Sequence, residues 1–421
     1  MKRFALLFLA LSALTGRAEL TLEQCLAEAE KNYPLICKQQ LMEQTGNIAL
    51  SDINRGWLPR VEIYGQATAQ NDVPSFPTPF QSMLPDIKGL SHFQYKVGAD
   101  LQQTVWDGGA SRARRSIERA STAENLAALR VQTYGVRERV ENLFFGILLI
   151  DEQLAQSAEN IKLLEANLTR MRSLVKNGVA TQADADMVEA QLLTALQQVT
   201  QARSARGGYV SALGLFLDRD IAGETLVKPL ADLPASLDTK RPEIDLFNAQ
   251  DAANAARLKA IDAQLMPKIG LFAQAYYGYP GLNYFQSMMN RDLSFNIIGG
   301  IKLSWNLDAL YTSGNSRKRL ELARRNVASD RETFELNTRI QTSAEMADIR
   351  GLQEAMERDS QIIELRSNVR RAAESQLTNG VIDTTALLTK ITDENQAQLT
   401  ARYHQIQLLQ RIYKLRNTLN Q

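Results

Sequence analysis

Few residues of this chain could carry chemistry on their own. Imidazole comes only from His92 and His404, and thiol only from Cys25 and Cys37. The sequence has no HExxH, CxxC, GxGxxG or P-loop spacing, the patterns that indicate zinc, redox, dinucleotide and nucleotide sites. No nucleophile, base and orienting group stand in a pattern that would indicate a hydrolase. We therefore expect no enzyme, no metal site and no cofactor.

The charge balance argues against a nucleic-acid partner. The 421 residues include 48 basic and 47 acidic side chains, for a net charge of +1. A chain so close to neutrality has no general electrostatic affinity for a polyanion. The two cysteines could form a disulfide in an oxidising compartment, because Pro34 can break the helix between them. On one unbroken helix they would lie ~18 Å apart, so buried free thiols are the favoured interpretation.

The first residues have the pattern of a secretory signal. Lys2 and Arg3 precede an apolar run at 4–14, and Gly16 and Ala18 are small residues suited to cleavage. The alternative is a membrane-anchoring first helix, but the run is short for a bilayer. No later stretch approaches the apolar length of a membrane-spanning helix. We expect an exported protein with a signal peptide at 1–18.

The rest of the chain repeats itself. Pro34 and Pro242 stand at an offset of 208, as do Pro59 and Pro267. In both copies one proline opens a helical segment and the other closes it before an alternating segment. The triplet Asn-Gly-Val then recurs at 177–179 and 379–381, at an offset of 202. One structural unit is therefore written twice.

Four segments alternate apolar and polar residues, the pattern of strands with two different faces. They lie at 61–69, 93–106, 269–277 and 295–307. A soluble antiparallel sheet would alternate similarly, but these lengths suit the ~9 to 11 residues of a strand that crosses a bilayer. Trp57, Trp106 and Trp305 all lie where strands join helices, as in an interfacial aromatic girdle. Four strands cannot close a barrel, so three copies would share one of 12 strands.

Long helical segments connect these strands. Apolar residues at 4-3 spacing run from Val136 to Val175, interrupted only by Ser157, which predicts a coiled-coil helix over 111–176. A helix of that length would span ~100 Å. Its counterpart is predicted at about 316–378, after a turn at 313–317, and shorter helices return over 182–216 and 383–417.

The Asn-Gly-Val triplets are the predicted tips of the two helical hairpins. Gly178 and Gly380 can adopt the positive φ that ends a helix, and Asn177 and Asn379 suit the same turn. Thr181 and Asp383 can cap the helices that follow. The triplets are thus helix stops at least. Because both triplets lie at the same distance from the strands, we expect them to form a surface for a partner.

The sequence resembles the TolC-like outer-membrane efflux protein family. The resemblance rests on LTLEQCLAEAEKNYPLI at 20–36, LQQTVWDGG at 101–109 and the paired Asn-Gly-Val tips, in order, and it covers the mature chain. It implies a homotrimer in outer-membrane lipid that docks a periplasmic adaptor fed by an inner-membrane pump of RND or ABC type. By this resemblance the strand-helix turn is Asp107, Gly108 and Gly109. The docking tips are Gly178, Val179, Ala180, Thr181, Gly380, Val381, Ile382 and Asp383.

The chain departs from the family at the periplasmic entrance. Relatives often close it with acidic residues six and nine positions after the second tip glycine, which are Ala386 and Thr389 here. The first hairpin has Asp184 at the sixth position after its glycine, with Asp186 nearby. These two are either entrance acids or solvated charges at a helix start, and the sequence leaves both interpretations open.

The predicted fold is mainly α with a membrane β part. It is an internal duplication in which coiled-coil hairpins form a periplasmic α-barrel and four strands per chain enter a shared 12-stranded trimeric β-barrel. The predicted segments are a signal peptide (1–18), N-terminal helices (19–59), strands (60–106, extracellular loop 71–92), a first hairpin (107–216, tip 177–181), an equatorial linker (217–241), a helix (242–267), strands (268–307, extracellular loop 278–293) and a second hairpin (308–421, tip 379–383).

The predicted function is a passive outer-membrane conduit of a tripartite export system, carrying small molecules. Within the family the alternative is the exit channel of a type I protein-secretion system. From another class, the alternative is a soluble periplasmic coiled-coil adaptor. The four two-faced strands argue against that adaptor, and fractionation with outer membranes would test it.

Overall fold

The computed structural model describes residues 19–75, 77, 83, 87 and 89–421. The expected signal peptide at 1–18 and part of the expected loop at 71–92 lie outside the described residues. The chain forms two compact units. The first comprises Met1–Lys38, Leu129–Ile244 and Glu332–Gln421, and the second comprises Gln39–Ala128 and Asp245–Arg331.

The first unit contains the ends of two helical hairpins. In one, α3 (Ala110–Lys176) is followed by α4 (Gln182–Leu217). In the other, α7 (Asp308–Thr378) is followed by α8 (Thr384–Leu419). The N-terminal segment adds β1 (Glu19–Leu20) and α1 (Leu22–Asn32), and β1 pairs in parallel with β4 (Thr225–Leu226) of the linker.

The predicted seam of α3 forms the core of this unit. Val140, Ile147 and Leu164 are fully buried, and the seam continues through Leu168 and Met171 toward the tip. Each such side chain contributes about 1.5–3 kcal/mol on burial. Cys25 of α1 packs in the same core, whereas Cys37 is exposed, and both are free thiols. The expectation of two buried thiols was therefore wrong for Cys37, which lies on α2 (Leu35–Arg55), a helix that buries only Gly46 among its residues.

The second unit contains a four-stranded antiparallel sheet in the order β2-β3-β5-β6. Its strands are β2 (Arg60–Ala69), β3 (Phe93–Trp106), β5 (Lys268–Tyr279) and β6 (Ser294–Ser304). Trp305 to Leu307, predicted as strand, lie outside β6. α5 (Pro242–Gln264) leads into β5, and a short helix α6 (Tyr284–Asn290) lies within the segment expected as a loop at 278–293.

The register gives the sheet one apolar face. Val61 pairs with Leu101, Leu101 with Ala273, and Ala273 with Gly299. Because alternate residues share a face, the apolar positions of all four strands lie together, and most of their large side chains are exposed. The three tryptophans lie at the end of the sheet that joins the helices, and the Trp305 indole donates to the carbonyl of Leu265 at 3.0 Å. Within the described residues, the outer edges of β2 and β6 pair with no further strand.

The two strand-to-helix junctions differ. Between β3 and α3, Gly108 and Gly109 have φ of +66° and +87°. Asp107 caps the helix by accepting from the backbone of Gly109 at 3.0 Å and of Ser111 at 2.6 Å. Burial opposes the charged form of Asp107, but hydrogen bonds from the Ser111 hydroxyl and from the Ser111 and Gly109 amides outweigh it and lower the pKa of the carboxyl. The predicted strand-helix turn is thus a glycine turn closed by an aspartate cap.

The second junction corrects a prediction. α7 begins at Asp308, not near 316, and the turn predicted at 313–317 lies inside the helix. The hydroxyls of Thr312 and Ser313 donate to the carbonyls of Asp308 and Leu310, so side chains typical of turns bond within the helix instead. None of the helices in the part of the chain that the structure describes has an apolar stretch able to cross a membrane.

Candidate functional site

Both hairpins end in the same backbone turn. At the first tip the amide of Val179 donates to the carbonyl of Leu174 at 2.9 Å, and that of Gly178 to Val175 at 3.0 Å. At the second, Val381 donates to Gln376 at 2.9 Å and Gly380 to Leu377 at 3.0 Å. This pair of bonds is the Schellman motif, which needs a left-handed residue after the helix. Gly178 and Gly380 supply it, with φ of +71° and +70°.

The next helices begin at the predicted caps. Thr181 accepts from the backbone of Asp184, and Asp184 accepts in return from the backbone of Thr181 at 3.0 Å, which completes a capping box. Asp383 accepts from the backbone of Ala386 at 2.8 Å. Both capping predictions are confirmed.

The residues between turn and cap point in different directions. Ala180 packs against the cluster of Leu168, Met171 and Val188, and Ile382 packs against a neighbouring cluster. Val179 and Val381, in contrast, are 65% and 68% exposed. Of the eight predicted tip residues, six therefore have a structural role as turn, cap or core. The two valines present apolar surface outward.

Asp184 joins the two hairpins. Its carboxylate accepts from the hydroxyl of Thr384 at 2.8 Å, and Thr384 is 1% exposed. Hydrogen bonds from the side chain of Thr181, then from Thr384 and the Thr181 backbone, lower the pKa of Asp184 below its ordinary value of 3.8. Asp184 is thus not a freely solvated charge.

The other entrance candidates lie on the surface near this joint. Asp186 is exposed and accepts from Gln182 at 2.7 Å. Ala386 is half-buried, and the exposed Thr389 donates to the carbonyl of Thr385 on its own helix. The structure therefore brings Asp184 to the second hairpin through Thr384, a residue that the sequence did not single out.

The sheet of the second unit presents a polar face opposite the apolar one. Glu62 pairs with Asp100, and Asp100 with Gln274. On the same face Lys96 lies 5.8 Å from the ring of Tyr64 and 5.5 Å from that of Tyr276. Such a face suits contact with water rather than lipid.

A polar layer that the sequence does not predict lies in the coiled coil. Gln156 of α3 bonds to Asn395 and Gln398 of α8 in the middle of the first unit. The available signal was Ser157, the one interruption of the apolar seam, with amide residues on either side of it. Heptad spacing alone cannot show that amides 239 and 242 residues apart meet.

Comparisons with known proteins agree with this architecture. Residues 38–213 match the family model described as outer membrane efflux protein. A membrane protein from Pseudomonas aeruginosa has the same fold, with a TM-score of 0.72, 13% identity, and coverage of 96% of this chain and 91% of that chain. No curated protein sequence matches the chain.

Two further solved structures are similar over most of their length. The outer membrane protein VceC of Vibrio cholerae has a TM-score of 0.66 at 14% identity, covering 94% of each chain. The MtrE outer membrane channel of Neisseria gonorrhoeae, in its open state, has a TM-score of 0.68 at 14% identity, covering 94% of this chain and 88% of that one. At such identities these structures establish the fold alone. The family match adds similarity in sequence over residues 38–213. The chain therefore has the TolC-like fold of these outer-membrane channels, and its residues 38–213 are similar in sequence to the outer membrane efflux protein family.

Proposed function

We propose that this protein is the exit duct of a tripartite export system for small molecules. Three copies form a passive conduit, and a periplasmic adaptor couples it to an inner-membrane pump. The duct performs no chemistry, so its activity depends on assembly and on docking.

The sheet supports assembly from three copies. An unpaired strand edge cannot remain in lipid, because its N–H and C=O groups would lose their hydrogen bonds to water. The open edges of β2 and β6 must therefore pair with strands of other copies. The apolar face of the sheet provides a surface for contact with lipid. Three sheets of four strands give a 12-stranded barrel wide enough for an aqueous pore.

The hairpin tips support docking. The eight tip residues are the proposed contact surface, and the observation that carries this proposal is the outward exposure of Val179 and Val381 in two identical turns. Valine side chains that are about two-thirds exposed contribute little to the packing of a helix stop. At the centre of a protein contact, apolar side chains that exclude water contribute most of the affinity.

The entrance is proposed to lie just beyond these tips. Asp184 and Asp186 are the acidic candidates, since Ala386 and Thr389 cannot carry charge. The bond from Thr384 to Asp184 would hold the two hairpins of one chain together at this level.

The double variant Val179→Asp, Val381→Asp tests docking. We expect normal folding and assembly, because an exposed site should tolerate Asp within about 0.5 kcal/mol. An unpaired carboxylate in an apolar contact costs a few kcal/mol, so adaptor binding should weaken by roughly a hundredfold or more. The measurements are adaptor cross-linking and dye efflux in a deletion strain.

The matched control replaces the same valines with threonine, which preserves shape and the turn without a charge. It should retain most of its efflux. Normal cross-linking and efflux by the aspartate variant would reduce the tips to helix stops and contradict the docking proposal.

A further inference from the structure

A polar layer crosses the otherwise apolar contact between α3 and α8. Gln156 is 2% exposed and donates from Nε2 to Asn395 Oδ1 at 3.0 Å and to Gln398 Oε1 at 2.6 Å. Buried apolar clusters containing Ile147 and Leu164 lie on its two sides along α3. An amide in such a place destabilises the fold unless its hydrogen bonds are all made.

Two acceptor oxygens of this layer are left over. Gln156 Oε1 and Asn160 Oδ1 are buried and have no hydrogen-bond partner among the described residues. In this arrangement the Gln156 Nε2 group makes both hydrogen bonds of the layer, and its carbonyl oxygen is the free atom. Gln156 and Asn160 line one cavity of about 160 Å³. A cavity with free acceptors requires a donor or a cation.

Negative charge exceeds positive charge around this cavity. Glu159, Glu394 and Arg370 line the cavity together with the amides, which leaves one negative charge in excess. Arg370 also pairs with Glu374 at 2.7 Å and with Glu394. Glu159 pairs with Arg402 at 3.0 Å.

We propose that this cavity binds a partly hydrated alkali-metal cation, such as Na⁺ or K⁺. Its lining offers amide and carboxylate oxygens, the ligands that hard cations take. A cavity of this volume has room for an ion together with several waters. The ion supplies the positive charge that the lining lacks and takes both free oxygens as ligands. It thereby ties α3 to α8 where apolar packing is interrupted.

Ion-dependent stability of the full chain tests this site. The protein purified in mild detergent is unfolded thermally in NaCl, KCl, CsCl and choline chloride at equal ionic strength. Charge screening is equal in all four salts, because it depends only on ionic strength. A site of fixed size, in contrast, binds cations selectively by their size. We expect a higher and saturable unfolding midpoint in NaCl or KCl than in choline chloride. Broadening of the ²³Na resonance by the protein gives a direct second readout.

Three variants separate the site from a general salt effect. Gln156→Leu removes the free oxygen and should abolish both the ion preference and the ²³Na broadening. Gln156→Glu keeps the shape and adds charge, so the half-saturating concentration should fall by about tenfold. Gln396→Leu changes an exposed glutamine of α8 and should keep the wild-type ion response.

The opposite results would overturn the proposal. Equal midpoints in all four salts, without ²³Na broadening, would mean that the cavity holds only water. An ion preference that survives Gln156→Leu would place the cation elsewhere. Should Gln156→Leu fail to fold, the response of Gln156→Glu decides in the same way, because an unchanged half-saturating concentration contradicts the site.

Discussion

At the residue scale, the carboxylate of Asp184 stabilises both a helix start and the contact between the two hairpins. It completes the capping box of α4 with Thr181 and accepts from Thr384 of the second hairpin. The spacing of Thr181 and Asp184 is visible in the sequence, and the cap was predicted there. The bond to Thr384 joins residues 200 positions apart, and only the packing of the two repeats brings them together. This acid and the tip glycines are therefore visible in the sequence, but the partner of the acid is not.

Asp184→Asn should weaken the tip in a pH-dependent way. The folded pKa of Asp184 lies below its ordinary value of 3.8, so its stabilisation is present above that value and is lost as the pH falls through the folded pKa. At neutral pH we expect a loss of about 0.5–1 kcal/mol, typical of a broken exposed cap. The difference from wild type should shrink below about pH 4. Thermal unfolding in mild detergent at a series of pH values measures it.

Asp186→Asn is the matched control, since this neighbouring carboxylate is exposed and bonds only within its own helix turn to Gln182 among the bonds described. It should have little effect at any pH. An equal, pH-independent loss in both variants would contradict the role assigned to Asp184.

At the element scale, hydrophobic periodicity predicts most helices and strands. The predicted start of α7 was wrong, because residues typical of a turn lie inside this helix. The predicted helix at 111–176 is Ala110–Lys176, because a heptad seam without proline leaves little choice. The start predicted near 316 is Asp308 instead. Ser313, Gly314 and Asn315 are typical of a turn, and nothing local shows that Thr312 and Ser313 would bond to carbonyls of the helix. The two repeats therefore align in sequence at a position where they differ in structure.

Gly109 and Gly314 stand at this aligned position and should respond oppositely to alanine. Gly109 has φ of +87°, so Gly109→Ala should destabilise the fold by about 1–2 kcal/mol. Gly314 lies inside α7, so Gly314→Ala should stabilise it by up to about 1 kcal/mol. An added Cβ meets no described atom within 4 Å at either position, so backbone conformation alone decides the sign.

Unfolding midpoints of the two single variants provide the measurement, and each serves as the control of the other. Shifts of the same sign would mean that the two junctions do not differ as described.

At the scale of the whole molecule, the internal duplication determines what one chain can and cannot do alone. Its two repeats supply two tips and four strands, and the sheet keeps an open edge on each side. The duplication was visible in the sequence through paired prolines and triplets, and so was the need for more strands. In the proposed trimer the residues that complete the channel belong to other copies, and the sequence of one chain does not show which residues meet there.

We expect a detergent-stable trimer. Three chains close the barrel and cover the strand edges, whereas one or two leave edges open to lipid at a cost of several kcal/mol per unpaired group. Light scattering or native mass measurement in mild detergent should give three times the mass of one chain. A monomer or dimer as the largest species would rule out the shared barrel.

The open edges of β2 and β6 also bear on how quickly the channel can be made. A single chain cannot insert into lipid alone, because the edges of its sheet must pair with the strands of other copies. Insertion must then await encounters between copies, and its rate should rise more steeply than in proportion to their concentration. While it waits, each chain carries strand edges that can pair wrongly with any neighbour. A modest fall in expression would therefore reduce the number of assembled channels by a larger factor than the number of chains. A larger share of the chains would pair wrongly before they assemble.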